Sequence, residues 1–275
     1  MPLHSILGSD LPALASALRM AADDGLVDVV GAWSHMSRAD DPSEAGNAST
    51  ASHVRIFEEG LAILADAGVT PRIRHLSATS GILWHREAHY DMVRAGIGLY
   101  GLSPDPAVAT SEQLGLTPAL ELRAPLTSVK VIEEGTPASY GGTWVAPTRR
   151  WIGLVPLGYG DGVLRAASNQ ARVVVHTASG PFNAPLIGRV CMDQFMVDLG
   201  PAEGSPGTPT ARSGQAPAIP GDIATLFGSG IGGEALADDW AQAAGTINYE
   251  IVTHLGAHIP RIYRDGADAT FGSNS

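Results

Sequence analysis

The 275-residue sequence is poor in the residues that make covalent cross-links: it holds one cysteine, Cys191, so no disulfide can close within a chain and packing must hold the fold. Lysine is as scarce, with Lys130 alone among 17 basic residues, a scarcity that beside so much Ala, Gly and Pro reads as coding bias. Positive charge is short as well. With 28 acidic residues the net charge is -11, the wrong sign for a nucleic-acid backbone or an anionic membrane surface. No apolar run reaches membrane-spanning length and no basic-then-apolar leader is visible, so the expected location is cytoplasmic. What is present, 44% hydrophobic residues, is enough to bury a substantial core in one large domain or two ordinary ones.

Apolar residues set the organisation. Leu11, Leu14, Leu18 and Ala22 recur at helical spacing after the capping candidate Asp10, and Gly25 stops that helix before a strand-like run at 27–33. Ile56, Phe57, Leu61 and Leu64 predict a second helix ending at Gly68, followed by a strand at 72–78, and a third strand fits 92–102. This alternation predicts a parallel α/β layer with its functional side chains at the C-terminal strand ends, where His35, Thr79 and Arg94 stand. From about residue 116 the pattern changes to β-branched runs at 126–132, 151–156, 171–176, 184–190, 195–199 and 222–227, with a short helix at 234–244. The expected division is 1–112 for the α/β part and 113–275 for an all-β domain. The stretch 201–221, with five prolines, predicts an exposed, mobile loop.

Arg94 precedes Ala95-Gly96-Ile97-Gly98, small residues that leave backbone N–H groups open to an anion, as at the phosphate sites that follow the last strands of β/α barrels. On these residues alone, a glycine-rich turn whose Arg pairs with a surface carboxylate is the favoured reading. Two other motifs invite chemistry. Gly228-Ser229-Gly230-Ile231-Gly232-Gly233 fits a dinucleotide fingerprint but lacks the second βα unit and its acidic residue, which favours a plain loop. His85 and His89 stand one helical turn apart, yet the Glu that should directly follow the first His of a zincin is displaced, and no third ligand is evident.

In chain order the sequence carries Trp33-Ser34-His35-Met36, His75-Leu76-Ser77-Ala78-Thr79, Val93 to Gly101, Ser139-Tyr140-Gly141-Gly142-Thr143, Gly158-Tyr159-Gly160-Asp161-Gly162, Gly188 to Gln194 and Asn248-Tyr249-Glu250. Each segment resembles its counterpart in alanine racemases, and together they cover nearly the whole chain. The resemblance implies the last strands of an incomplete (β/α)8 TIM-type barrel followed by the family's C-terminal β domain. It implies pyridoxal phosphate as cofactor, L-alanine and D-alanine as substrates, and a homodimer whose sites are completed across the interface, supplying D-alanine to peptidoglycan. Arg94 resembles the arginine facing the coenzyme's ring nitrogen, where a guanidinium of very high pKa hydrogen-bonds without giving up a proton. His35 resembles the histidine bridging that arginine to the catalytic tyrosine, and Tyr140 the tyrosine that takes the α-hydrogen of L-alanine, its phenol tuned from a pKa near ~10 by cationic neighbours. Thr79, Gly96, Ile97 and Tyr249 resemble the phosphate cradle. Met192 and Asp193 resemble the substrate contacts, and Asp40, Tyr159, Arg165, Arg189 and Ile247 the substrate entrance, although ordinary surface packing explains those five nearly as well.

Two parts of the pattern are missing. Racemisation in this family needs a second base, a coenzyme-binding lysine expected well before His35, and Lys130 reads instead as an outward-facing strand residue. The family's arginine at the substrate carboxylate is also absent, and Ala78-Thr79 stands where Asn-Ser is usual. A start codon placed downstream of the true one accounts for these absences, with the chain as given inactive and poorly soluble alone. The alternative is a non-catalytic remnant that binds pyridoxal phosphate or pairs with a complete subunit.

Overall fold

The computed structural model describes residues 10–202 and 217–264, and the chain packs as two units, Met1–Pro118 and Ala119–Ser275. In the first unit α1 (Leu11–Asp23) begins at a proline, which loses nothing at a helix start because first-turn N–H groups have no helical partner. Asp10 takes the cap position, but its side chain makes no cap hydrogen bond. β1 is only Gly31–Trp33, and it pairs in parallel with β2 (Ile73–His75). Between them runs α2 (Glu44–Asp66), whose Ser43 accepts the Gly46 N–H.

This second helix starts 12 residues before Ile56, where the apolar periodicity begins. The hidden half buries Gly46, Thr50 and His53 instead of large apolar side chains, so periodicity could not reveal it. A Cβ on Gly46 would lie 2.2 Å from the Asp41 carbonyl oxygen, which makes glycine the residue that admits the preceding loop. Farther along, Phe57 packs with Met36, Ala39, Leu76 and Ala88, and Leu64 with Ala15 and Val69, which fixes α2 against the strand ends.

The third strand expected at 92–102 is not formed. Asp91 and Met92 donate to the Arg74 carbonyl and Arg94 to that of Ser77, so the segment follows β2 for a few residues; a 3-10 turn then takes over at Ile97–Tyr100. Gly96, at φ -112° and ψ -103°, leaves the extended path, and Gly101 closes the turn in the left-handed region. α3 (Thr79–Trp84), unannounced by the sequence pattern, begins directly after the end of β2.

The second unit is antiparallel. Its strands are β3 (Leu122–Pro125), β4 (Ser128–Ile132), β5 (Pro137–Ala138), β6 (Trp144–Val145), β7 (Arg150–Val155), β8 (Arg172–Thr177), β9 (Gly180–Ile187), β10 (Phe195–Pro201) and β11 (Ile223–Phe227). Seven form one sheet in the order β3-β11-β8-β9-β10-β7-β4, and β5 pairs with β6 apart from it. The two outer strands are consecutive in sequence. Leu126 donates to the Asp222 carbonyl next to β11 while Thr127 donates to Leu154 on β7, so a two-residue link carries the chain from one edge to the other and the sheet has little free edge.

Alternation along β9 and β10 buries Ala184, Leu186, Phe195 and Val197, while β8 buries three valines in a row, Val173, Val174 and Val175. α4 (Ala237–Ala244) docks through Trp240, whose indole N–H donates to the Leu226 carbonyl at 2.6 Å, and α5 (Asn248–Thr253) follows. Residue 130 is exposed on β4, the outward position expected of Lys130. Of the proline-rich stretch, residues 203–216 lie outside the described residues, and with them most of the expected loop.

Leu186 is 1% exposed in the core of this sheet. Leu186→Ala is expected to cost about 2–5 kcal/mol in urea unfolding, against less than about 0.5 kcal/mol for Lys130→Ala on the outer face.

Candidate active site

In the first unit the ends of β1 and β2 converge on Arg94. Its Nη1 donates to His75 Nδ1 (2.8 Å) and the His75 carbonyl (3.2 Å), while Nη2 donates to His35 Nδ1 (3.2 Å) and to the carbonyls of Ser34 (2.8 Å) and Leu76 (3.1 Å). The guanidinium carbon lies 5.2 Å from the centre of the Trp33 ring, which itself stacks on His75. Among the described residues no carboxylate lies within ion-pairing distance of Arg94, unlike Arg74 with Asp91 or Arg150 with Asp198. Nε is left without a hydrogen bond to any described residue, a charged donor still to be satisfied.

Arg94 fixes the tautomers of its neighbours. A guanidinium nitrogen only donates, so His35 and His75 must each present an unprotonated Nδ1 and carry the ring hydrogen on Nε2. Burial, then the charge of Arg94, lowers both imidazoles below their ordinary value, with a further contribution at His35 from His53. Burial also lowers Arg94, which remains a cation. His75, given no role in the sequence reading, is as close a partner of Arg94 as His35. Its signal was available, since it stands at the end of β2 as His35 stands just past the end of β1.

Thr79 is 6% exposed and faces the glycine run. Its Oγ1 accepts from the N–H groups of Gly96 (3.1 Å) and Gly98 (3.3 Å), so these are not open as the sequence suggested; a hydroxyl already collects them. The Ile97 N–H has no partner among the described residues. Asp40 is exposed, in a shallow hollow with Asp41, Trp84 and His85.

In the second unit the segment from Gly188 to Asp193 gathers most of the remaining candidates. Tyr140 crowns a 3-10 turn and is 73% exposed. The Arg189 guanidinium lies against Gly141 of that turn, and the Arg189 carbonyl accepts from Ser139 Oγ at 2.7 Å. Tyr159 and Gly160 donate to the carbonyls of Cys191 and Met192, bringing Tyr159 beside Met192 and Asp193. Asp161 holds this loop: one carboxylate oxygen accepts from the Gly158 N–H (2.7 Å), the other pairs with His258 Nε2 (2.8 Å), and its carbonyl accepts from the Gly256 N–H. Arg165 starts a 3-10 turn just after this loop, Ile247 is the exposed residue before α5, and Tyr249 stands in the first turn of α5.

The rival motifs have local explanations. The carboxylate of Glu234, 5% exposed, accepts from Ser229 Oγ and the Gly230 N–H, so the glycine loop wraps one of the chain's own anions where a dinucleotide phosphate would need to sit. His85 and His89 spend Nε2 on backbone carbonyls of Ala39 and of Gly81 and Ile82, and no three metal-binding side chains cluster among the described residues. Nor is any described helix long and apolar enough to cross a membrane.

Residues 7–104 match the family described as "Alanine racemase, N-terminal domain", and residues 119–263 match "Alanine racemase, C-terminal domain". The chain is 43% identical over 256 residues to alanine racemase of Salinispora arenicola, covering 93% of this chain and 62% of that one, and 42% identical to that of Streptomyces coelicolor, covering 60% of it. Among solved structures, alanine racemase from D-cycloserine-producing Streptomyces lavendulae matches with a TM-score of 0.82 at 39% identity, over 94% of this chain and 62% of that one. That of Streptomyces coelicolor A3(2) matches at 0.80 and 40%. The chain thus spans about 62% of the length of these relatives. It has the fold of their N-terminal barrel-like domain and C-terminal β domain in sequence, and it belongs to the alanine racemase family.

Proposed function

We propose that this chain is the greater part of an alanine racemase, an isomerase that binds pyridoxal phosphate and interconverts L-alanine and D-alanine for peptidoglycan in the cytoplasm. Residues 1–112 are the last strands of a (β/α)8 barrel and 113–275 the β domain, and two copies complete each other's sites. The observation that carries the reading is the Arg94 guanidinium, half-buried with no described carboxylate beside it, held by His35 and His75 and keeping one donor in reserve. That donor set suits a neutral aromatic nitrogen, which accepts a hydrogen bond from Arg94 and receives no proton from it. For the phosphate, Thr79 offers a hydroxyl already gathered with the Gly96 N–H, and Ile97 offers the neighbouring backbone N–H.

Pyridoxal phosphate, when bound, supplies an electron sink that makes the α-hydrogen of an amino acid removable. The chain's own groups do the rest. His35, its Nδ1 engaged by Arg94, offers Nε2–H to the phenol oxygen of Tyr140 from the partner copy. Tyr140 takes the α-hydrogen of L-alanine and restores it on the same face in the reverse direction. Met192 and Asp193 position the substrate, and Asp40, Tyr159, Arg165, Arg189 and Ile247 line its approach. A base for the opposite face must come from a lysine outside the residues given, because Lys130 is exposed on β4. That single lysine also favours the second reading, a non-catalytic partner that binds the coenzyme or a complete subunit.

Pyridoxal phosphate added to the purified chain is expected to quench tryptophan fluorescence, with Arg94→Ala weakening binding about tenfold or more and Lys130→Ala leaving it unchanged. In the protein carrying the coenzyme-binding lysine, Tyr140→Phe is expected to suppress α-hydrogen exchange with D2O from L-alanine far more than from D-alanine. Equal loss from both removes Tyr140 from its assigned role, and no exchange in the parent protein leaves the non-catalytic reading standing.

The imidazoles also predict a pH dependence. Both His35 and His75 bind protons less readily folded than at the ordinary value of 6.5, so the unfolded chain gains protons first as pH falls. Their stabilisation is fully present above that value and is lost as pH drops through the folded values. The thermal midpoint should therefore fall between about pH 7.5 and 5.5, and less steeply in the His35→Asn/His75→Asn double variant. An unchanged slope would show that these imidazoles are not the groups being titrated.

A further inference from the structure

The turn that carries Tyr140 is strained at the residue before it. Ser139 has φ 59° and ψ -175°, a backbone region that glycine fills freely and that L-residues avoid. Gly141 (φ 75°) and Gly142 (φ 54°) take the positive angles that follow, where no side chain is in the way. A serine persists in such a conformation only where its surroundings hold it.

Its surroundings do. Ser139 Oγ donates to the Arg189 carbonyl at 2.7 Å and lies 3.3 Å from Cys191 Sγ. Gly188 supplies the room: a Cβ there would lie 2.7 Å from the Ala138 carbonyl oxygen and 2.8 Å from Ser139 Cβ. The far end of the turn is tied to the same segment through Asn169, itself at φ 61°. Its Nδ2 donates to Thr143 Oγ1 at 3.0 Å, and its Oδ1 accepts from the Gly188 N–H at 2.6 Å. The run 139–143 is thus fastened at both ends to residues 188–191. Tyr140 stands between these anchors, and its own side chain makes no hydrogen bond with a described residue, so the backbone alone directs its phenol.

We propose that Ser139 is a positioning residue: its hydroxyl, bound to the Arg189 carbonyl, holds the backbone before Tyr140 in the conformation that aims the phenol. This rests on the reading of Tyr140 as a base. A purely structural serine makes a different prediction, because Ser139→Gly removes the strain together with the hydroxyl and should then be harmless.

Two measurements separate these. In the chain as given, Cys191 is the only thiol, so its rate of reaction with an aromatic disulfide reagent reports the tie directly. Ser139→Ala and Ser139→Gly should each raise that rate about fivefold or more. In the protein carrying the coenzyme-binding lysine, both variants should lower α-hydrogen exchange from L-alanine about tenfold or more through kcat, leaving KM and the D-alanine side within about twofold. Ser139→Gly should nevertheless melt at or above the temperature of Ser139→Ala. Parent-level exchange from L-alanine in Ser139→Gly, or thiol reactivity unchanged in both variants, overturns the proposal. If Tyr140→Phe also keeps the L-alanine exchange, the assignment of Tyr140 falls with it; if Tyr140→Phe loses that exchange while Ser139→Gly keeps it, only Ser139 is misassigned.

Discussion

One guanidinium organises the first unit. The parallel ladder there is three residues on each strand, too short to define its own ends, and Arg94 adds hydrogen bonds to the carbonyls of Ser34, His75 and Leu76 just where the ladder stops. A half-buried cation gains from every donor that finds an acceptor, and the carbonyls and imidazoles that satisfy this one come from both strand ends, which holds them together. The same bonds set the electrostatics. They leave the charge uncancelled by any described carboxylate and convert two histidines into neutral acceptors at Nδ1. Lysine could not substitute, because a single ammonium cannot span two imidazoles and three carbonyls as a planar fork does.

The second unit relies on close backbone approach. A Cβ on Gly158 would sit 2.3 Å from the carbonyl oxygens of Cys191 and Met192, so the Tyr159 loop can pair with that segment only because the side chain is missing. Asp161 then joins this loop to the segment after α5 through Gly256 and His258. Positions of Tyr159, Met192 and Asp193 are therefore set by backbone contacts between segments distant in sequence. The exposed side chains at this end inherit their placement from a rigid frame.

Much of this was legible in the sequence, for identifiable reasons. β-Branched runs bounded by turn residues located six of the sheet strands because their buried side chains are large and apolar, as at Val173, Val175, Phe195 and Val197. The first half of α2 was invisible because its buried face is Gly46, Thr50 and His53, and the strand expected at 92–102 was misjudged because an apolar run can also be extended coil followed by a tight turn. Motif resemblance singled out Arg94 and His35, which do meet. It could not reveal that Thr79 gathers the Gly96 and Gly98 amides, or that His75 shares the guanidinium, since both depend on the path of the chain between Ser77 and Gly98.

The tautomer of His35 limits what that residue can do. To carry a proton between a phenol and the arginine, its Nδ1 would have to bear hydrogen, and a protonated Nδ1 would face a guanidinium N–H with no lone pair to offer. The bond to Arg94 would be lost and a second cation would stand beside the first; burial, and after it the Arg94 charge, already hold the imidazole below its ordinary value. On the proposed assignment, His35 would therefore serve as a polarising donor through Nε2–H and not as a shuttle. On the proposed assignment, the phenol of Tyr140 keeps its own proton economy. On that assignment the demand is for fixed geometry in each unit separately: the imidazole held by Arg94 in the first, and the turn before Tyr140 anchored through Ser139 in the second.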